Sequence, residues 1–371
     1  MKEKIVGILG FNGSVGKYAT EKLLNEGIHV LGGQRKNEHL IGRYDNFDFE
    51  YVDVENIKML NSFIEKCDVV VNCVSPSHIY GKIVKEAVSR LDKIYIDPSD
   101  MSFEKFRENI GGRCVASCGY IPGLSEFLVR VIARKYFDKI ERCIMYQGGF
   151  DGCSQGAFVD MIIGAGKKSF YGDSFILDSK ISPFRVDIKK THATPFSSKK
   201  VIFKSLINGD CINLQKDIGA KEFYFFCSYD DMETLKFFMR LLIEVSRYDQ
   251  KNAAESILKK LNERIKTNEK FGNQSVEAFL FIELSGEKNN SEKSMVCKIL
   301  LKNVNKVCGY FLGETIKEVL KNPQRIKDGF NYGSEIVKPE YIDKIMFEIG
   351  EDEYIKIEEI DINEKINITE F

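Results

Sequence analysis

Seven residues, Gly10-Phe11-Asn12-Gly13-Ser14-Val15-Gly16, stand between a short apolar run, Lys4 to Leu9, and a segment in which Val15, Ala19 and Leu23 recur every four residues. The run is short and continuous, as a parallel strand buried on both faces requires. The four-residue recurrence, closed by Gly27, predicts a helix over Ser14–Glu26 with a left-handed stop. A strand that turns through glycines into a helix opens a βαβ unit of the kind that binds dinucleotides. Gly10 permits the turn, Gly13 lets the backbone approach a pyrophosphate, and Gly16 lets the helix pack closely on the sheet. The helix start offers N–H groups and a positive dipole end to phosphates. The spacing, G-x-x-G-x-x-G, is one residue longer at the front than the commoner pattern.

The second strand, Ile28–Gly33, decides which dinucleotide fits. A site for NAD ends that strand in Asp or Glu, which reads the ribose 2′-hydroxyl. This chain has Gly32-Gly33-Gln34-Arg35-Lys36 there, with no acid. Arg35, with Lys36 beside it, can hold a 2′-phosphate through its planar fork. One such bond is worth about 10- to 150-fold in preference, so the expected cofactor is NADPH (NADP+). Asp53 and Val54, after a third strand at Phe49–Val52, are placed near the adenine. Val74, Ser75 and Pro76 close a fourth strand, Asp68–Val74, and are expected along the ribose. Cys118 and Gly119 end a sixth strand, Arg113–Ser117, and are expected beside the nicotinamide.

A helix at His78–Ser89 and a fifth strand at Lys93–Asp97 complete an alternation of strands and helices. The first fold expectation is therefore a doubly wound α/β Rossmann domain over residues 1–123. Beyond Gly123 the rhythm changes. Helices are expected at Leu124–Phe137, Gln155–Lys167, Met232–Arg247, Ala253–Thr267 and Val307–Lys321. Strands are expected at Ile140–Tyr146, Val201–Leu206, Phe223–Ser228, Val276–Leu284 and Met295–Leu301. This is an α+β pattern on a mixed or antiparallel sheet, a second domain over residues 124–304 for substrate binding or dimerisation. Residues 305–345 are expected to pack back on the first domain. Lys168–Lys200 reads as a long loop, and the acidic tail, 346–371, as an edge hairpin or a frayed arm.

Composition narrows the function classes. The 371 residues carry 54 Lys and Arg against 55 Asp and Glu, a net charge of −1, which leaves no electrostatic footprint for nucleic acid or an anionic membrane. No apolar run is long enough for a membrane span, and the apolar start stops too early for a signal peptide. A cytoplasmic protein is expected. The ten cysteines form no C-x-x-C pair and there are only four histidines. The expectation is reduced thiols and no metal site.

At this point the chain resembles the saccharopine dehydrogenase-like reductases. The resemblance is carried by GFNGSVG, by VLGGQRK, by VVNCVSPSHIYGKIVKEAV with KIYIDPSD after it, and by GYIPGLSEFLVR at Gly119–Arg130. Tyr146-Gln147-Gly148-Gly149 resembles the strand that opens the family's second domain, and Gly333–Ile345 its C-terminal segment. The resemblance implies NAD(P)-dependent reduction or formation of C–N bonds through imines, on a small-molecule substrate, free or carrier-bound, by a homodimer. Three positions depart from the saccharopine-forming pattern. Ile121 stands where an acid is expected, Asp100 where a tyrosine is expected, and Gln147 where a cysteine is expected. A substrate other than saccharopine follows.

Hydride transfer needs one proton managed beside the acceptor carbon. The candidate donors are Tyr120, Tyr146, Asp100 and Asp151, with His78 as a shuttle. Each has a plainer reading: tyrosines pack, Asp100 can cap a helix near Ser102, and a lone histidine at a helix start is commonly structural. Arg113, Arg130, Arg142 and Arg185 are candidates to pair a substrate carboxylate. A short-chain dehydrogenase mechanism is excluded, because the one Tyr-x-x-x-Lys couple, Tyr18 with Lys22, lies on the phosphate-binding helix. The expected activity is reduction of an imine, less readily a ketone. The alternative is a non-catalytic dinucleotide-binding regulatory or scaffold protein.

Overall fold

The computed structural model describes residues 4–35, 43–100, 111–149, 154–166, 170–194, 197–266, 278–349, 354–361 and 365–368. The chain forms two compact units. The first comprises residues 1–124, 156–161 and 305–345, and the second comprises 125–155, 162–304 and 346–371.

In the first unit β1 (Ile5–Leu9) leads into α1 (Gly16–Asn25), β2 (His29–Gln34), β3 (Phe47–Tyr51), α2 (Ile57–Glu65), β4 (Val69–Asn72), α3 (Ser77–Arg90), β5 (Ile94–Ile96) and β6 (Arg113–Ala116). All strands run parallel, in the order β6-β5-β4-β1-β2-β3, and a seventh, Gly329–Tyr332, joins beside β6. Val6, Ile8, Val69, Val71, Ile94 and Ile96 point to one face of the sheet. They pack there with Leu23 of α1 and with Leu312, Ile316 and Val319 of the helix Val304–Lys321. Leu9, Val70 and Tyr95 point to the other face, against Leu60, Phe63 and Ile64 of α2 and Val84, Ala87 and Val88 of α3. The alternation along each strand thus feeds a core on both sides, which is why these strands read as continuous apolar runs.

The helix Val304–Lys321 approaches α1 through two small residues. A Cβ on Gly309 would sit 2.5 Å from the Tyr18 Cβ, and one on Gly313 would sit 2.7 Å from Lys22. The close approach buries charge. Lys22 and Lys317 are 2.7 and 2.9 Å from Glu314, and Lys317 is 2.5 Å from Glu26. Burial acts to raise the Glu314 carboxyl, but the two ammonium groups outweigh it and bring its pKa to about 2.

The second unit holds a mixed sheet. Lys139–Gly148 is central, parallel to Glu222–Tyr229 on one side and antiparallel to Ala278–Lys288 on the other. Ser291–Leu301 returns from the latter through Asn289-Asn290, both at positive φ, the backbone a two-residue hairpin requires. Ile144, Tyr146, Phe203, Tyr224, Phe226, Phe279 and Phe281 form an aromatic-rich core.

Several expectations change. Among the described residues four α-helices stand outside the sequence expectations, Ile57–Glu65, Gly209–Ile218, Gly333–Ile336 and Ile342–Ile349. The expected loop Lys168–Lys200 contains short strands, Ser174–Leu177 against Lys180–Pro183 and His192–Thr194 against Ser197–Ile207. Ser174–Leu177, Lys180–Pro183 and His192–Thr194 span only three or four residues each, too few for an alternation to show in sequence, while Ser197–Ile207 extends the expected strand Val201–Leu206. The tail supplies an edge strand, Tyr354–Glu359, paired antiparallel with Ser291–Leu301. Among the described residues no helix is long and apolar enough to cross a membrane.

Candidate functional site

The glycine loop lies at the carboxyl end of β1, in the middle of the parallel sheet, where open α/β sheets bind their ligands. Gly10 adopts φ +77°, its N–H donates to Gly33 O at 2.8 Å, and the Gly13 N–H returns to Gly10 O at 3.0 Å. A Cβ on Gly16 would stand 2.3 Å from Gly10 O, so α1 starts directly against the loop. Gly13 and Ser14 are exposed, Asn12 and Val15 half-buried. Val15 precedes the helix with no side-chain cap. An uncapped helix start behind an exposed glycine turn is the cradle a pyrophosphate needs. Phe11 differs from its neighbours: its ring is buried against Phe47 and Phe49, so only its backbone belongs to the loop.

Arg35 is exposed directly after β2. Asp53 folds back on its own turn, accepting the Glu55 N–H at 3.1 Å, and Val54 is buried. Lys36 and Asp151 lie outside the described residues.

Three further strand ends gather beside the loop. β4 exits through Val74, Ser75 and Pro76, and a Cβ on Gly10 would lie 2.8 Å from Cys73 O. β5 exits through Pro98, Ser99 and Asp100. β6 exits through Ser117, Cys118 and Gly119, and the Ser117 N–H donates to Ser99 O at 3.1 Å. A Cβ on Gly119 would lie 2.9 Å from Pro98 O, and one on Gly333 would lie 2.7 Å from Cys118 Sγ. The candidates Val74, Ser75, Pro76, Asp100, Cys118 and Gly119 therefore share one end of the sheet. Tyr120 follows in the turn to Gly123, and its side chain is almost fully buried. His78 stands in the first turn of α3, half-buried.

Beneath these exits is a polar cluster that the sequence did not mark. Asp97 is fully buried. Its carboxylate accepts from Asn72 Nδ2 at 2.8 Å, Tyr95 OH at 2.5 Å, Ser99 N at 2.8 Å and Ser77 Oγ at 3.2 Å. Burial pushes the carboxyl up, against the pull of the Asn72, Tyr95 and Ser99 hydrogen bonds. Burial, with Asp97 alongside, also holds the Tyr95 phenol well above its usual range. A second carboxylate, Asp160 in the helix Gln155–Ala165, accepts from the Ser77 and His78 N–H groups at 2.9 and 3.0 Å. Ser117 is buried with φ +55°, and its hydroxyl has no hydrogen-bond partner among the described residues. A serine held in the left-handed region with an unmet hydroxyl is the kind of strain that collects at ligand sites.

Other candidates have structural occupations. The Tyr146 ring belongs to the aromatic core of the second unit, stacked on Phe281 with centroids 4.7 Å apart. Burial, with Glu283 nearby, raises its phenol well above the usual range. Arg130 is buried with Nε 2.7 Å from Asp217, Arg142 pairs with Glu283 at 3.0 Å, and Arg113 donates to Asp92 O at 3.2 Å.

Residues 6–110 match the family model of the saccharopine dehydrogenase NADP binding domain. A search of curated proteins found no match in sequence. Among solved structures, an apo saccharopine dehydrogenase (L-Glu forming) from Saccharomyces cerevisiae is 13% identical and covers 96% of this chain and 100% of its own, with a TM-score of 0.66. A C. glutamicum DAP dehydrogenase in complex with DAP is also 13% identical, over 94% of this chain and 99% of its own, with a TM-score of 0.45. The yeast structure shares its fold with 96% of this chain, and residues 6–110 are similar to an NADP-binding domain.

Proposed function

We propose that this chain is a saccharopine dehydrogenase-like, NAD(P)-dependent oxidoreductase, a reading supported by the domain match over residues 6–110 and the fold shared with the yeast enzyme, and that it uses NADPH to reduce a C=N bond, less readily a C=O bond, on a small metabolite or biosynthetic intermediate. The observation that carries the reading is the glycine cradle at β1 joined to a β2 end, Gly32-Gly33-Gln34-Arg35, in which Arg35 is exposed and no residue is an acid. Bound NADPH supplies the hydride. The chain's own residues bind and orient it. The exposed Gly13 turn and the start of α1 take the pyrophosphate, and Arg35 takes the 2′-phosphate through a charge-assisted fork. The exits of β4 and β6 flank the nicotinamide half. In the first unit Tyr120, Asp100 and His78 are the groups near those exits able to hold or move the proton that an imine or a developing alkoxide requires.

NADPH oxidation is to be followed across a panel of imines formed in situ from amines with oxo acids or aldehydes, and of ketones. Steady turnover with one imine supports the reading. Tight NADPH binding with no oxidation across the panel overturns it in favour of a dinucleotide-binding scaffold. Arg35→Ala is expected to weaken NADPH binding by about 10- to 150-fold and to leave NADH binding unchanged, measured by titration calorimetry with both cofactors. Equal affinity for NADPH before and after the substitution would show that another group reads the 2′-phosphate.

A further inference from the structure

We propose that Ser77 is a positioning residue for the nicotinamide half of the cofactor, gripped between two carboxylates, Asp97 and Asp160. The inference rests on the NADPH reading above and goes beyond it, since it assigns a role to groups that touch neither the phosphates nor the adenine.

Ser77 is where the β4 exit turns into α3. The turn in front of it, Cys73 to Pro76, is the wall that the glycine loop leans on, with a Gly10 Cβ only 2.8 Å from Cys73 O. Behind the turn Ser77 is buried and held at two points. Its hydroxyl donates toward Asp97, 3.2 and 3.3 Å from the two carboxylate oxygens, and accepts from Ser99 Oγ at 3.0 Å. Its N–H donates to one oxygen of Asp160, and the N–H of His78 donates to the other. Asp97 also holds the Ser99 N–H and Asn72 Nδ2, and Asn72 Oδ1 accepts from the Val74 N–H at 3.2 Å. Two carboxylates and one serine therefore set the shape of both the β4 and the β5 exits.

This is more polar machinery than the fold needs. A buried carboxylate is costly to desolvate, and apolar packing of the same volume commonly serves stability as well or better. What the cluster has in common is the pair of turns that follow β4 and β5 at the ligand end of the sheet. Asp160 adds a second constraint. With its two oxygens on the first two N–H groups of α3, the anion position at that helix start is already taken. The phosphates are left to α1, and what lies against the β4 exit is the uncharged ribose or the nicotinamide.

The test separates the two halves of the ligand. NADPH and adenosine 2′,5′-bisphosphate, a fragment with the adenine and 2′-phosphate but no nicotinamide, are titrated into the full-length wild type, Ser77→Ala and Asp97→Asn. Both variants are expected to bind NADPH roughly tenfold more weakly and to bind the fragment within about twofold of wild type. Should Asp97→Asn fail to fold, Ser77→Ala, which keeps the N–H bond to Asp160, is read alone. Equal loss for both ligands overturns the proposal and leaves the cluster a purely structural role. Unchanged NADPH affinity in a folded Ser77→Ala also overturns it. Wild type unable to bind the fragment sinks the cofactor reading itself, and this inference with it.

Discussion

Replacing Gly16 by valine is expected to abolish NADPH binding and to lower folding stability by about 3 kcal/mol. The reason is geometric. The new Cβ would lie 2.3 Å from Gly10 O and 3.1 Å from Gly10 C and Phe11 Cα. All three are backbone atoms, so no side chain can swing aside, and either the glycine turn opens or α1 lifts from the sheet. Both movements scatter the N–H groups that we propose take the pyrophosphate. Gly27→Ala is the matched control. Gly27 has φ +74° and no neighbour within 4 Å of an added Cβ, so the cost is local strain of about 1–2 kcal/mol with cofactor affinity intact. Titration calorimetry with NADPH and urea unfolding of both variants decide the matter. Normal NADPH affinity in Gly16→Val would remove the loop from the cofactor site.

Glu314→Gln is expected to cost about 3 kcal/mol at neutral pH, although it touches no ligand. Glu314 is almost fully buried, and the substitution leaves the ammonium groups of Lys22 and Lys317 in the same pocket with one of their two shared carboxylates gone and Glu26 remaining. Breaking one partner out of a buried charged cluster is far costlier than its removal as a whole. The pH dependence follows in sign. The folded carboxyl, at about 2, lies below its ordinary 4.5. Its contribution is therefore complete above about pH 4.5 and is lost as the pH falls through 2. The stability gap between wild type and Glu314→Gln, measured by urea unfolding, should be wide at pH 7 and close between those limits. A constant gap down to pH 2 would mean that the lost stability came from packing rather than charge.

The first βαβ unit was legible because its signals are local: an apolar run, three glycines and a four-residue recurrence within about two dozen positions. The helix Ile57–Glu65 carried local signals too. Asn56 caps it, accepting from the Lys58 and Met59 N–H groups, and Leu60, Phe63 and Ile64 form its buried stripe. Gly209–Ile218 was bracketed by Asn208, which accepts the Cys211 N–H, and by Gly219 at φ +65°. The short strands of 171–183 were not legible. They turn through Asp178 and Ser179 at positive φ, which neither residue announces, and the strand Ser174–Leu177 pairs with Glu222–Phe223, more than forty residues on.

The candidate site divides in the same way. Its phosphate half is one continuous segment and could be read as such. The Asp97 cluster could not, because Asn72, Ser77, Asp97 and Asp160 are unremarkable singly and only the folded sheet collects them. Tyr146 shows the opposite case. Its hydroxyl suggested chemistry, yet Ile144 two positions earlier shares its inward face and the same core. Alternation along a strand predicts burial better than side-chain type predicts reactivity.

The seventh strand, Gly329–Tyr332, has a consequence for synthesis on the ribosome. Its partner β6 emerges more than two hundred residues earlier, and Leu312, Ile316 and Val319, which cover one face of the sheet, arrive almost as late. The nascent first unit must therefore wait, with one edge unpaired and one face covered by α1 alone, while the second unit is made and has time to fold. A chain stalled near residue 300 would present an aggregation-prone intermediate, and chaperone demand during translation should be concentrated in that window.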